Sequence, residues 1–194
     1  MKFLIIASYP GSILKFRGAL IKALQDKGFE IHIAAPEFDN YPEDVTALKS
    51  FGYTLHNIAL QRTGTNPLKD AAALSALYLI MRKVEPSHVM GYTIKPVIYG
   101  TLAAWATKVP NRYALITGLG YAFQQVEETG NRSKLQKLIH GLYKQALSKT
   151  SKVFFQNPDD LNLFEQLKLI SPSTPTAVVN GSGVDVSEYD VAPL

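Results

Sequence analysis

Between Lys2 and Gly28 the chain passes from an unbroken apolar run to one with helical spacing. Phe3 to Ala7 carries no polar position, as in a strand buried on both faces of a parallel sheet. Ile13, Phe16, Leu20, Ile21 and Leu24 then recur with a helical period, as on a crossover helix lying back over that sheet. Pro10 and Gly11 turn the chain, Ser12 is placed to cap the helix, and Gly28 stands where a left-handed closing residue is needed. The turn lies at the carboxyl end of the strand, the edge on which open α/β sheets bind ligands.

The alternation continues. Strands are expected at Glu30 to Ala35, Tyr53 to Leu60, Ser87 to Gly91, Arg112 to Thr117, Lys152 to Gln156 and Ala177 to Asn180. Helices are expected from Pro42 to Phe51, Leu68 to Val84, Val97 to Lys108, Ser133 to Ser148 and Pro158 to Leu169. Strand and helix in strict turn predict an α/β fold: a doubly wound, mostly parallel, Rossmann-like sheet of seven strands with right-handed crossovers. The chain length suits one domain, over 1–180, followed by an exit segment over 181–194. An α/β chain that stops after a glycine-containing exit, Asn180 to Asp185, is expected to be one half of something larger.

Composition narrows the partners. Hydrophobic residues make up 46% of the chain and charged residues 19%, which excludes a disordered polypeptide. A net charge of +4 suits an anionic small molecule or an anionic membrane surface better than nucleic acid. With no Cys, neither disulfides nor thiol chemistry can operate. The longest apolar run, Ala71 to Met81, falls short of the roughly 18 residues of a membrane span. The expectation is a cytoplasmic protein, soluble or peripheral to a membrane.

Four segments end strands on one edge: Tyr9 to Ser12, Gly91 to Pro96, Thr117 to Gly120 and Gln156 to Asp160. Each alone reads as an ordinary βα turn; together they mark a site, with helix N-termini offering donors to phosphate oxygens. Gly118-x-Gly120 lacks the third glycine of a dinucleotide fingerprint, and no Walker sequence occurs. His32, His56, His88 and His140 have no metal-ligand spacing, so no metal site is expected. Asp159 and Asp160 complement a helix dipole. Arg132, Lys134, Lys137 and Lys144 surround the apolar stripe of the Ser133 to Ser148 helix, with no acid between Glu128 and Asp159. That pattern fits an anionic lipid surface, or equally a core-facing stripe with a solvated basic back.

Taken in order, several motifs resemble the N-terminal domain of glycosyltransferase family 4. They are Phe16-Arg17-Gly18, Tyr92-Thr93-Ile94-Lys95-Pro96 with Tyr99-Gly100, Thr117 to Phe123, Phe155 to Asp160, and Asn180 to Asp185. The likeness covers nearly the whole chain and is to the bacterial branch that extends undecaprenyl-diphosphate-linked sugars for surface polysaccharides and glycoproteins. It implies one half of a GT-B enzyme, in which a C-terminal domain holds the nucleotide sugar, UDP-linked in this branch, and the N-terminal domain holds the acceptor. It further implies retention of configuration, no required metal or other cofactor, a lipid-linked saccharide as acceptor, and a location at the inner face of the cell membrane. The family's C-terminal Glu-x7-Glu motif has no counterpart here, so this half is expected to be inactive alone.

By the same resemblance, Pro10, Gly11 and Ser12 face the donor diphosphate, and Thr117, Gly118 and Gly120 line the cleft beside the transferred sugar. Arg17, Tyr92, Thr93 and Lys95 approach the acceptor or its diphosphate. Asn180, Gly181 and Asp185 mark the interdomain exit. Many family members carry a His near the transferred sugar where this chain has Gly118, so no catalytic side chain is assigned. The competing readings are a non-catalytic recruiting or scaffold module that pairs with a separate donor-binding chain, and an unrelated Rossmann domain, which the missing glycine fingerprint disfavours.

Overall fold

The computed structural model describes residues 1–61, 66–119 and 134–183. Within them, strands β1 (Lys2–Ile6), β2 (Glu30–Ala35), β3 (Thr54–Asn57), β4 (His88–Tyr92), β5 (Asn111–Ile116), β6 (Lys152–Phe155) and β7 (Thr176–Val178) alternate with six helices. The helices are α1 (Ile13–Asp26), α2 (Pro42–Ser50), α3 (Pro67–Val84), α4 (Ile94–Ala106), α5 (Lys134–Leu147) and α6 (Pro158–Gln166). Every strand pairing is parallel, in the order β3-β2-β1-β4-β5-β6-β7. This is the doubly wound Rossmann-like sheet that the alternation predicts.

The order locates the site. From β1 the chain builds outward to β2 and β3, then returns to lay β4 against the other side of β1. The winding reverses between β1 and β4, and in such sheets the crevice outside the carboxyl ends at the reversal is where ligands sit. Ile6 pairs with Gly91 at that end, so the turns after Ile6 and after Tyr92 flank the crevice.

Residues alternate between faces along each strand. Phe3, Ile5, Ile33, Met90 and Leu115 pack with Ile21 of α1 and Leu48 of α2. On the opposite face, Leu4, Ile6 and Val89 pack with Leu77 and Met81 of α3 and Ala103 of α4. Farther along that face, Ile116, Val153 and Phe155 meet Ile139 and Tyr143 of α5 and Phe164 of α6. One layer therefore holds α1 and α2, and the other holds α3 to α6.

Several boundaries differ from expectation. Helix α4 starts at Ile94, three residues before the expected Val97. Pro96 falls in its first turn, where no helical N–H is required, so the proline does not mark the start. Strand β3 is shorter than expected because the Leu60 N–H turns back to the Ile58 carbonyl at 2.9 Å. Ser12 does not cap α1 with its side chain; its hydroxyl is engaged elsewhere, as described below. Leu138, expected on the apolar stripe of α5, is 58% exposed, while Ile139, Tyr143, Ala146 and Leu147 are buried.

Candidate functional site

Ser12 and Tyr92 span the reversal. The Ser12 hydroxyl donates to the Tyr9 carbonyl at 2.8 Å and lies 2.8 Å from the Tyr92 phenol. A serine has one proton, and a carbonyl can only accept it, so the phenol is the donor to Ser12 Oγ. Burial pushes the Tyr92 phenol up to about 12, outweighing the opposing influence of Ser12 and Arg17. Tyr92 is therefore a neutral, fixed donor that ties the β1–α1 turn to the end of β4.

Arg17, one turn into α1, is buried beside this pair. Its guanidinium carbon lies 5.0 Å from the centre of the Tyr92 ring, a cation–π contact. Nη1 donates to the Phe16 carbonyl at 2.7 Å and to Ser182 Oγ at 2.9 Å, and Nε has no partner. Among the described residues no carboxylate pairs with it. Desolvation lowers its affinity for the proton, partly offset by Tyr92, but a guanidinium keeps its charge. A buried cation without a counter-charge costs free energy that a bound anion would recover. Phe16, Leu20, Met90, Leu115 and Gln156 complete the cavity around it, and Gln156 Nε2 donates to Ser182 Oγ at 2.9 Å.

The β4–α4 turn is strained and tightly seated. Thr93 has φ 69° and ψ 168°, a conformation costly for any residue but glycine and found where surrounding structure imposes it. Its hydroxyl is buried without a partner. Gly91 allows the turn: a Cβ there would stand 2.7 Å from the Pro96 carbonyl carbon. The backbone of α4's first turn thus rests directly on the strand.

Lys95 follows a different direction from Arg17. Its side chain is 7% exposed, and Nζ donates to Asp70 Oδ1 of α3 at 2.7 Å. The pair lines an apolar groove between α3, α4 and α5, in the layer opposite α1. Among the described residues, no group of three His, Asp or Glu is arranged to hold a metal ion.

A model of the family described as glycosyl transferase 4-like matches residues 9–157, a stretch that contains Ser12, Arg17, Tyr92, Thr93 and Lys95. The chain belongs to the glycosyl transferase 4-like family. It is 24% identical over 178 residues to the Campylobacter jejuni N,N'-diacetylbacillosaminyl-diphospho-undecaprenol alpha-1,3-N-acetylgalactosaminyltransferase, covering 92% of this chain and 45% of that protein. A glycosyltransferase from Rickettsia africae shares the fold, with a TM-score of 0.63 at 15% identity over 91% of this chain and 42% of that one. So does UDP-GlcNAc 2-epimerase from Neisseria meningitidis in a complex with UDP-GlcNAc, with a TM-score of 0.62 at 16% identity over 94% and 47%. The chain spans about half the length of the curated relative it matches.

Within this glycosyl transferase 4-like chain, the remaining candidate residues fall as follows. Pro10 and Ser12 are buried in a 3-10 turn, and Gly11 lies against the Tyr9 and Tyr41 rings. Thr117 and Gly118 follow β5 at the same carboxyl edge, Gly118 with φ 135°. Asn180 and Gly181 are exposed after β7, and the Gly181 N–H bonds to the Val179 carbonyl at 2.8 Å. Lys137 and Lys144 are exposed on α5. Gly120, Arg132, Asp185 and the Lys134 side chain lie outside the described residues. Asp70 lies outside the sequence motifs, and Gln156 and Ser182 lie within them without an assigned role, because each acts through a partner distant in the chain. The His32 and His56 rings stack between β2 and β3, with Nδ1 of the first 3.0 Å from Nε2 of the second, and Glu30 Oε1 lies 2.9 Å from His32 Nε2. Among the described residues no helix is long and apolar enough to cross a membrane.

Proposed function

We propose that this chain is the acceptor-side half of a retaining glycosyltransferase. The whole enzyme moves a sugar from a nucleotide sugar, UDP-linked, to a lipid-diphosphate-linked saccharide in surface polysaccharide or glycoprotein glycan synthesis. Arg17 carries the reading: a buried guanidinium with no acid partner among the described residues, at the switch point of a family-matched sheet, is suited to a diphosphate. Tyr92 holds Arg17 by its ring face and Ser12 by its hydroxyl, so the cation is oriented before an anion arrives. Thr93 Oγ1 and the N-terminus of α4 add unused donors at the same edge.

On the donor side, the Pro10 to Ser12 turn, Thr117, Gly118 and Gly120 form this domain's wall of the crevice, and a second Rossmann-like domain holds the nucleotide. Asn180, Gly181 and Asp185 lead toward that domain, and this half alone is inactive. No metal takes part. The enzyme sits at the inner membrane face, with Arg132, Lys134, Lys137 and Lys144 toward anionic headgroups; the exposure of Leu138 between Lys137 and Lys144 supports that orientation.

The test is transfer by the whole protein from UDP-sugars to an undecaprenyl-diphosphate-linked saccharide, with and without chelator, and with product anomer read by NMR. Transfer with retention, unaffected by chelator, is expected. Lipid binding without transfer would make the chain a recruiting module.

A further inference from the structure

After β7 the chain stays bonded to the end of β6. The Val179 N–H donates to the Phe155 carbonyl at 2.7 Å, and the Gly181 N–H lies 3.4 Å from the Gln156 carbonyl and 2.8 Å from that of Val179. Gly181 has φ 72° and Gly183 φ 73°, so the backbone on both sides of Ser182 takes a left-handed form that a side chain would resist. This turn sets Ser182 where donors from two distant elements reach one oxygen. Arg17 Nη1 of α1 donates to Ser182 Oγ at 2.9 Å, and Gln156 Nε2 donates to the same atom at 2.9 Å.

The contact decides which edge of Arg17 is open. Both hydrogens of Nη1 are taken, one by the Phe16 carbonyl and one by Ser182 Oγ, while the Tyr92 ring holds the cation by its face. Among the described residues nothing accepts from Nε or Nη2. The edge left over is therefore the fork that grips two oxygens of a phosphate. Phe16 adjoins Arg17 on α1 and Tyr92 closes β4, so these two supports belong to the packed body of the sheet. Ser182 does not: it is exposed, on the segment beyond the last strand, 165 positions from Arg17. It holds the guanidinium only while that segment keeps its turn.

We propose that Ser182 is a positioning residue that couples the anion site at Arg17 to the seating of the segment after β7. With the segment seated, Ser182 fixes the guanidinium with its Nε–Nη2 edge toward the diphosphate; with the segment withdrawn, Arg17 keeps its charge and loses its aim. The coupling is reciprocal, so a diphosphate on Arg17 also holds the segment in place. The inference rests on the function proposed above and adds a regulation of the same site: the turn that leads out of this domain reports whether the acceptor's diphosphate is bound.

The Val179 and Gly181 amides are both hydrogen-bonded, so their hydrogen exchange reports on the segment. Exchange is followed in the whole protein with and without saturating inorganic diphosphate, for the parent, Ser182→Ala and Ser182→Thr. Diphosphate is expected to slow exchange at these amides in the parent and in Ser182→Thr, which keeps the hydroxyl, and not in Ser182→Ala. A purely structural role would instead speed exchange in Ser182→Ala equally with and without diphosphate. In transfer assays Ser182→Ala should raise KM for the lipid-linked acceptor about three- to tenfold, the loss of one hydrogen bond, with kcat little changed. Exchange in the parent that ignores diphosphate, exchange in Ser182→Ala that slows as in the parent, or Ser182→Thr behaving like Ser182→Ala overturns the proposal. If Arg17→Ala impairs use of the acceptor and Ser182→Ala does not, the proposed function stands and the coupling falls. If exchange responds to diphosphate through Ser182 while neither variant alters acceptor kinetics, the coupling stands and the proposed function falls.

Discussion

The Ser12 hydroxyl and the Tyr92 phenol meet at 2.8 Å although the residues are 80 positions apart. The contact closes the crevice between β1 and β4 at its floor. Because Ser12 spends its proton on the Tyr9 carbonyl, removing the phenol oxygen leaves a buried hydroxyl oxygen short of a donor, at a cost of about 1–3 kcal/mol. Tyr92→Phe is expected to lower unfolding stability by that amount in urea. Ser12→Ala combined with Tyr92→Phe should cost less than the sum of the single changes, since both delete one interaction.

Gly91 and Gly100 both lack room for a side chain, but against different neighbours. A Cβ at Gly91 meets the Pro96 carbonyl carbon at 2.7 Å and the Val97 nitrogen at 3.0 Å, both backbone. A Cβ at Gly100 meets Ile6 Cδ1 at 2.6 Å, the tip of a side chain that can rotate. Gly91→Ala should therefore destabilise by about 2–3 kcal/mol and Gly100→Ala by visibly less. Thermal melts of the two variants compare them. Gly91→Ala must also shift the first turn of α4, displacing Thr93 and Lys95 together.

Thr93 offers the opposite case. Replacing it with glycine relieves the strained backbone and removes a buried hydroxyl without a partner. The gain, of order 1–3 kcal/mol, exceeds the roughly 1 kcal/mol of extra chain entropy that glycine brings. Thr93→Gly is expected to be as stable as the parent or more so in urea unfolding, while transfer by the whole protein falls. A destabilised variant would show that the conformation is not strained.

Acid sensitivity follows from two histidines. Burial, then the neighbouring His32, then Lys83 hold His56 below its ordinary value of 6.5, and burial with the N-terminal ammonium does the same to His88. The unfolded chain then binds more protons than the folded one, so this stability is present above pH 6.5 and is lost as pH falls through the lower folded values. Unfolding free energy measured against pH should decline below 6.5, and His56→Gln should flatten the decline.

The alternation of apolar runs made the parallel sheet legible, because a strand buried on both faces and a crossover helix leave different periods. The shared edge of the candidate residues was legible for the same reason: once the strands are parallel, Pro10, Thr93 and Gly118 must all stand at their carboxyl ends. What stayed hidden depends on register and packing. Asp70 and Lys95 are 25 positions apart and Arg17 and Ser182 are 165 apart, and neither pairing leaves a local signature. The start of α4 was hidden because Pro96 reads as a boundary, whereas in a first turn it is tolerated. The exposure of Leu138 was hidden because a periodic stripe does not say how wide the buried face is.

Arg17, held by Tyr92 at the switch point, is proposed to receive the diphosphate of a lipid-linked acceptor. It is tested most directly by kcat/KM for that acceptor in the whole protein carrying Arg17→Ala. Losing charge-assisted bonds worth about 1.5–3 kcal/mol predicts a fall of roughly 10- to 100-fold, with KM for the nucleotide sugar unchanged. Arg17→Lys should recover little of it, because an ammonium lacks the planar fork and the stack on Tyr92. An unchanged kcat/KM for the acceptor in Arg17→Ala would contradict the account.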